Sequence, residues 1–161
     1  MSKFLNWILV GIFLVGIIYF SQQQFYQQDI SPIIEQNKRL VSAVQTLPPI
    51  EFTYHQRVIN SHQDTVAFIH FMIRKMAHVF IYGCFGLSLL RALQPLAKSQ
   101  LAIWILVGMV VLLLAGLDEL NQFYSGGRTG CPQDILLDFS GYVLFSLVYF
   151  GIAGLGKGQR A

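Results

Sequence analysis

Four apolar runs punctuate the chain, at 4–20, 76–93, 101–117 and 135–155. Each is close to the roughly 20 residues that a helix needs to cross the hydrocarbon core of a bilayer. With the second run extended back to residue 68, the pattern predicts an all-α, polytopic membrane helical bundle. Its four transmembrane helices are at 4–20, 68–93, 101–117 and 135–155, in one domain over 1–161. After the first run the chain reads Ile18-Tyr19-Phe20-Ser21-Gln22-Gln23, without the small residues of a cleavage site. It is therefore expected to be an uncleaved anchor.

Residues 21–65 are too many for a structureless loop in a compact domain. Ser31-Pro32 is a helix-start signal, Ser as the cap and Pro as the first helical residue. Ile33, Leu40, Val44 and Leu47 follow at helical spacing until Pro48-Pro49. This predicts an amphipathic helix lying on the membrane or capping the bundle. Residues 50–59 are compatible with extended chain, and Asn60-Ser61 or Asp64 is placed to cap the helix of the second span.

Composition supports the membrane reading: 54% of the residues are hydrophobic and 12% charged. A soluble domain carries about 25% charged residues, and disorder needs low hydrophobicity with high charge. The net charge of +3 comes from scattered bases. No patch of the kind that binds nucleic acid is present. Cys84 and Cys131 fit neither a metal-ligand spacing nor a disulfide framework, and read as a packing residue and a loop thiol. Lys3, Arg91, Lys98, Lys157 and Arg160 fall in segments on one side of a four-span chain. The positive-inside rule makes that side cytoplasmic, so both termini are expected in the cytoplasm and 21–65 outside.

Three groups of charged residues are not ordinary loop charges. In Arg74-Lys75-Met76-Ala77-His78-Val79-Phe80-Ile81-Tyr82, a helix puts Lys75, His78 and Tyr82 on one face. Two cations and a His entering an apolar span either snorkel to the interface or face partners in a cavity. Asp118 and Glu119 directly follow an apolar run, with Gln122 one turn on. Acids there oppose the helix dipole, which favours them at the other end. The third group is Ser125-Gly126-Gly127-Arg128, then Asp134 and, four residues deeper in an apolar run, Asp138. A lone carboxylate at that depth costs several kcal/mol unless protonated or paired, and Arg128 is the candidate partner. All three groups fall at the outer ends of different spans. A bundle joining those ends forms an outward-facing polar pocket of Arg74, Lys75, His78, Tyr82, Asp118, Glu119, Gln122, Arg128, Asp134 and Asp138, a mixed cluster of the kind that marks functional sites.

The same residues carry a family resemblance. Lys75, His78 and Tyr82 resemble the Lys-x-x-His-x-x-x-Tyr signature of VanZ-like proteins. Asp118-Glu119-x-x-Gln122 is similar to their Asp-Glu-x-x-Gln motif, and Gly127-Arg128, Asp134 and Gly141 to their Gly-Arg-x5-Asp-x6-Gly pattern. Where the family often has Asn, this chain has Asp138, an added acid. The motifs cover about 75–145 and leave 21–65 unmatched. The resemblance implies a small multi-pass protein of the bacterial cytoplasmic membrane. Its founding member is linked to low-level resistance to the glycopeptide teicoplanin.

Two uses of the pocket are expected. In the first, an enzyme acts on a lipid-linked or envelope substrate: Arg74, Lys75 and Arg128 hold an anionic group. His78 is general acid or base, oriented by Asp118 or Glu119. Tyr82 and Gln122 line the site, and Asp134 and Asp138 position Arg128 or bind a divalent cation. In the second, the pocket binds or shields a membrane lipid, a lipid-linked precursor or a glycopeptide without turnover. A proton-coupled transporter and a purely structural network are further readings. No ligand spacing selects a particular metal, and nothing specifies an oligomeric state.

Overall fold

In the computed structural model the described residues are 3–55, 57–96, 98–124 and 131–158. Their elements are α1 (Lys3–Gln22), a 3-10 turn (Phe25–Gln28), α2 (Ser31–Gln36), α3 (Lys38–Gln45), β1 (Glu51–Tyr54), β2 (Arg57–Asn60), α4 (Thr65–Leu93), a second 3-10 turn (Gln94–Leu96), α5 (Gln100–Tyr124) and α6 (Pro132–Gly158). Four helices are long and apolar enough to cross a membrane: Phe4–Gln22, Thr65–Leu96, Gln100–Tyr124 and Pro132–Ile152. The chain divides into two compact units, one of Met1–Gln22 with His78–Ala161, the other of Gln23–Ala77.

The first unit is a helical bundle with an apolar interior and an apolar exterior. Asn6, Val10, Ile17 and Ser21 form the buried stripe of α1, at helical spacing. Tyr82, Phe85, Leu89 and Leu90 of α4, Val107, Val111 and Ala115 of α5 and Tyr142 of α6 complete the core. Val15, Leu113, Leu147 and Ile152 are exposed, a lipid-compatible outer surface.

α5 and α6 run antiparallel. Near the start of α5, the Trp104 indole N–H donates to Ser146 Oγ at 2.8 Å. Tyr142 donates to the Trp104 carbonyl at 2.7 Å. Polar groups buried in the apolar layer are thus satisfied in pairs. Asn121 Nδ2 ties α5 to the end of α1 through Ser21 Oγ (2.9 Å) and its carbonyl (3.2 Å). α4 and α6 meet at glycine: a Cβ on Gly141 would collide with the Val79 carbonyl oxygen, and one on Gly83 would lie 2.7 Å from Phe145.

α5 departs from expectation at its end. The third span was expected to stop at residue 117, but the helix continues through Tyr124 and buries Asp118, Glu119 and Gln122. They are not solvated acids beyond a helix end. α4 has 29 residues, about 43 Å of helix, longer than a hydrocarbon core of roughly 30 Å.

The second unit packs α2, α3 and a β-hairpin around Ile34, Phe68 and Ile69. The expected single amphipathic helix is two helices, broken at Asn37, whose side chain accepts from Leu40 N at 3.2 Å. The break resets the helical phase. Ile34, Val41 and Val44 face inward while Ile33, Leu40 and Leu47 are exposed, so only Val44 of the expected stripe points to the core. Ser31 is the first helical residue rather than the cap; its N–H donates to Asp29 Oδ1 at 2.9 Å. The hydrogen bonds from Ser31 hold the Asp29 carboxyl below its ordinary range. β1 and β2 pair antiparallel with Phe52 opposite Ile59, a hairpin where extended chain was expected and the one departure from an all-helical fold among the described residues. Of the candidate caps, Asp64 serves α4, accepting from Ala67 N at 2.9 Å.

Gly141→Ala should lower the unfolding midpoint of the detergent-solubilised protein, by the equivalent of about 1–3 kcal/mol, because a backbone carbonyl must give way. Gly116→Ala is the control: nothing lies within 4 Å of its added Cβ. It should leave the midpoint unchanged or raise it. Equal effects at the two positions would remove close packing at Gly141 as the cause.

Candidate functional site

The site is built from three elements of the bundle. α4 supplies His78 and Tyr82, one turn apart, their rings stacked with centroids 6.3 Å apart. α5 supplies Asp118, Glu119 and Gln122 from its last two turns, and α6 supplies Asp138. Asp138 is fully buried, and Asp118 and Glu119 are 6% and 5% exposed.

Each buried carboxylate is held through one oxygen. His78 Nδ1 lies 3.1 Å from Asp138 Oδ1. With the proton on Nδ1 the imidazole donates to that oxygen, and Nε2 keeps its lone pair. Tyr82 donates its hydroxyl to Asp118 Oδ2 at 3.2 Å. The Cys131 N–H donates to Glu119 Oε2. The other oxygens, Asp118 Oδ1, Glu119 Oε1 and Asp138 Oδ2, are buried and have no hydrogen-bond partner among the described residues. Buried polar atoms are nearly always paired, so three orphans in one cluster call for an explanation.

Local sequence explains the placement. Gly141 lets α6 lie against the Val79 backbone. Val79 is the residue after His78, and Gly141 lies three residues beyond Asp138, so the close approach brings imidazole and carboxylate within reach. Pro132 opens α6. A helix start with Pro in its first position presents free N–H groups and the positive end of the dipole. Cys131, directly before Pro132, uses its N–H to anchor Glu119. Sequence reading took Cys131 for a loop thiol; the structure buries it and makes its backbone part of the site. The signal was Pro132, an α6 N-terminus able to take a carboxylate.

The remaining expected residues are placed as follows. Asp134 is half-buried in the first turn of α6, four residues before Asp138. Arg74 and Lys75 belong to the second unit. There Lys75 Nζ stands over two rings, 4.6 Å from the centroid of Tyr54 and 5.3 Å from that of Phe71, an aromatic seat for an ammonium. Arg128 lies outside the described residues. The second unit also holds a buried imidazole that sequence reading passed over, His70, with Nδ1 3.3 Å from Ser31 Oγ and 3.5 Å from Asp29 Oδ1.

The arrangement supports two kinds of chemistry. An imidazole oriented by a buried carboxylate is the pairing used for general acid–base transfer. One ligand atom each from His78, Asp118 and Asp138 also lie within 4.8 Å of one another, a spacing that could hold a metal ion.

The VanZ/LLP1 family matches residues 7–153. The match reaches well beyond the motif-bearing 75–145 and takes in the polar segment after α1. No curated protein matches the chain. No solved structure does so either.

Tyr82→Phe should cost about 1–3 kcal/mol, since it leaves the buried Asp118 without a hydrogen bond from any described residue. Combined with Asp118→Asn, which removes the acceptor charge, Tyr82→Phe should cost less than it does alone, read from urea unfolding in detergent as a double-mutant cycle. Strict additivity would show that the Tyr82–Asp118 bond carries no energy.

Proposed function

Because the chain belongs to the VanZ/LLP1 family, we propose that this multi-pass membrane protein binds and acts on an envelope or lipid-linked anionic substrate at the His78–Asp118–Glu119–Asp138 cluster. The observation that carries this reading is the burial of three carboxylates and an imidazole among the ends of apolar helices. Such groups are expensive in a membrane bundle and are kept where they do work. His78, oriented by Asp138, is the general acid or base, and Glu119 is the second proton carrier, anchored at the start of α6. Arg128 is the basic residue assigned to the anionic group.

The orientation belongs to the same proposal. Lys3, Arg91, Lys98 and Lys157 lie in segments at the end of the helices away from the cluster. The positive-inside rule then puts the cluster at the outer face of the bacterial cytoplasmic membrane and both termini in the cytoplasm. A substrate would approach from the outer leaflet, where lipid-linked envelope precursors are used. A contribution to glycopeptide tolerance is the physiological role that fits this placement.

The test is an assay of the purified protein in detergent or nanodiscs with lipid phosphates and lipid-linked peptidoglycan precursors. Binding or turnover is expected, with turnover reduced by at least about 100-fold in His78→Ala and Glu119→Gln, the usual size of a lost acid–base group. Full activity in both variants would sink the assignment. Binding without product would make the protein a shield for the lipid rather than an enzyme.

A further inference from the structure

We infer that His78, Asp118 and Asp138 form a binding site for one divalent cation of the Zn2+ or Mn2+ class. One ligand atom from each of the three lies within 4.8 Å of the other two. Atoms bound to a common ion at about 2.0–2.2 Å are roughly 3–4 Å apart. The His78–Asp138 pair, at 3.1 Å, is already at that separation. Loading replaces the proton between them by the ion, so in the loaded site His78 is a ligand and the acid–base role falls to Glu119.

Spacing alone would not separate this site from any acidic cluster. The orphaned oxygens do. Asp118 Oδ1 and Asp138 Oδ2 are buried beside the imidazole and have no protein donor among the described residues, and neither has Glu119 Oε1. Three carboxylates with one imidazole carry a net negative charge even when the imidazole is protonated. In a low-dielectric bundle that charge must be neutralised by protons or by a cation. A divalent ion supplies two positive charges and gives the buried Asp118 and Asp138 carboxylates a further partner in the same step.

The donor set narrows the ion. Carboxylates alone suit Mg2+ or Ca2+, whereas an imidazole nitrogen favours transition-type ions. Three protein ligands also leave coordination positions open, as in catalytic rather than structural sites. An open position on a cation is where a phosphate oxygen or a water would bind. Here the inference deepens the function proposed above: an anionic headgroup, repelled by bare carboxylates, is attracted by a loaded site. The role given to the ion rests on that reading; the binding of the ion does not.

The experiment uses the full chain in detergent, stripped with a chelator and titrated with Mn2+ and Zn2+. Ion binding is followed by the loss of the free Mn2+ signal in electron paramagnetic resonance and by the unfolding midpoint. One ion per chain is expected, with a higher midpoint in its presence, because a ligand that binds only the folded state stabilises it. Asp118→Asn and Asp138→Asn should each weaken binding by at least about tenfold. They should leave the midpoint of the stripped protein unchanged or raised, since each removes a buried like charge; a purely structural His78–Asp138 bond would instead make Asp138→Asn lower it. The inference is overturned by the absence of stoichiometric binding, or by undiminished binding in both variants. It is equally overturned if the stripped protein ignores both ions and Arg128→Gln lowers its midpoint, because a guanidinium then supplies the counter-charge. Phosphatidic acid in the same micelles separates the two proposals. Lipid-phosphate binding that survives chelation removes the ion and leaves the proposed function standing. One bound ion with no affinity for lipid phosphate leaves the ion and removes the substrate reading.

Discussion

Three carboxylates withdrawn from water inside an apolar helical bundle are the constraint around which the first unit is arranged. Each is held by a donor from elsewhere in the chain: Asp138 by His78, Asp118 by Tyr82, Glu119 by the N–H of Cys131. Two donors come from α4 and one from the entrance to α6, so the acids link three helices. Without those bonds each acid would add its desolvation cost to the fold. With them, relative placement of the helices is specified as well as favoured, which unspecific packing of leucine and valine against lipid-like surfaces would not achieve. Gly141 belongs to the same arrangement. A side chain there would push α6 off the Val79 backbone and open the His78–Asp138 bond.

The fold was legible where apolar runs were long. Four such runs are four membrane-length helices in the structure. The bounds failed where charge was taken to end a span. Asp118 and Glu119 looked like the end of a span, yet α5 passes through them and ends only at Tyr124. In the second unit one residue made the difference. Asn37 interrupts what periodicity joined into one helix, and the stripe of Ile33, Leu40 and Leu47 ends exposed while Ile34, Val41 and Val44 pack inward. Periodicity assumes an unbroken phase, and a side chain that caps a new helix removes that assumption.

Much of the site was legible because residues at helical spacing carry their neighbours with them. His78 and Tyr82 on one helix, and Asp118, Glu119 and Gln122 on another, could be grouped from spacing alone. What spacing could not assign is which acid meets which partner. Asp138 meets the imidazole of His78, a pairing that spacing did not suggest, while Arg128, its expected partner, lies outside the described residues. For Lys75 spacing gave no hint of its aromatic partners within the second unit, Tyr54 and Phe71, over which its ammonium sits. Backbone donors are a further blind spot. The N–H of Cys131 is invisible to any motif made of side chains, and only the Pro132 helix start hints at it.

The depth of the cluster bears on the kind of work it can do. From Asp118, the buried residues of α5 running back along the helix are Ala115, Val111, Gly108 and Val107, all apolar. Tyr82 continues on α4 into Phe85, Leu89 and Leu90 of the same core. The deeper polar groups, Trp104, Tyr142 and Ser146, are bonded to one another and to backbone. A proton or ion crossing the bilayer needs partners through its whole depth, and among the described residues no further carboxylate or imidazole is buried in the bundle below this cluster. The geometry therefore favours a site that is approached and left from one face. That is the arrangement expected for chemistry or binding at a headgroup and not for passage across the membrane.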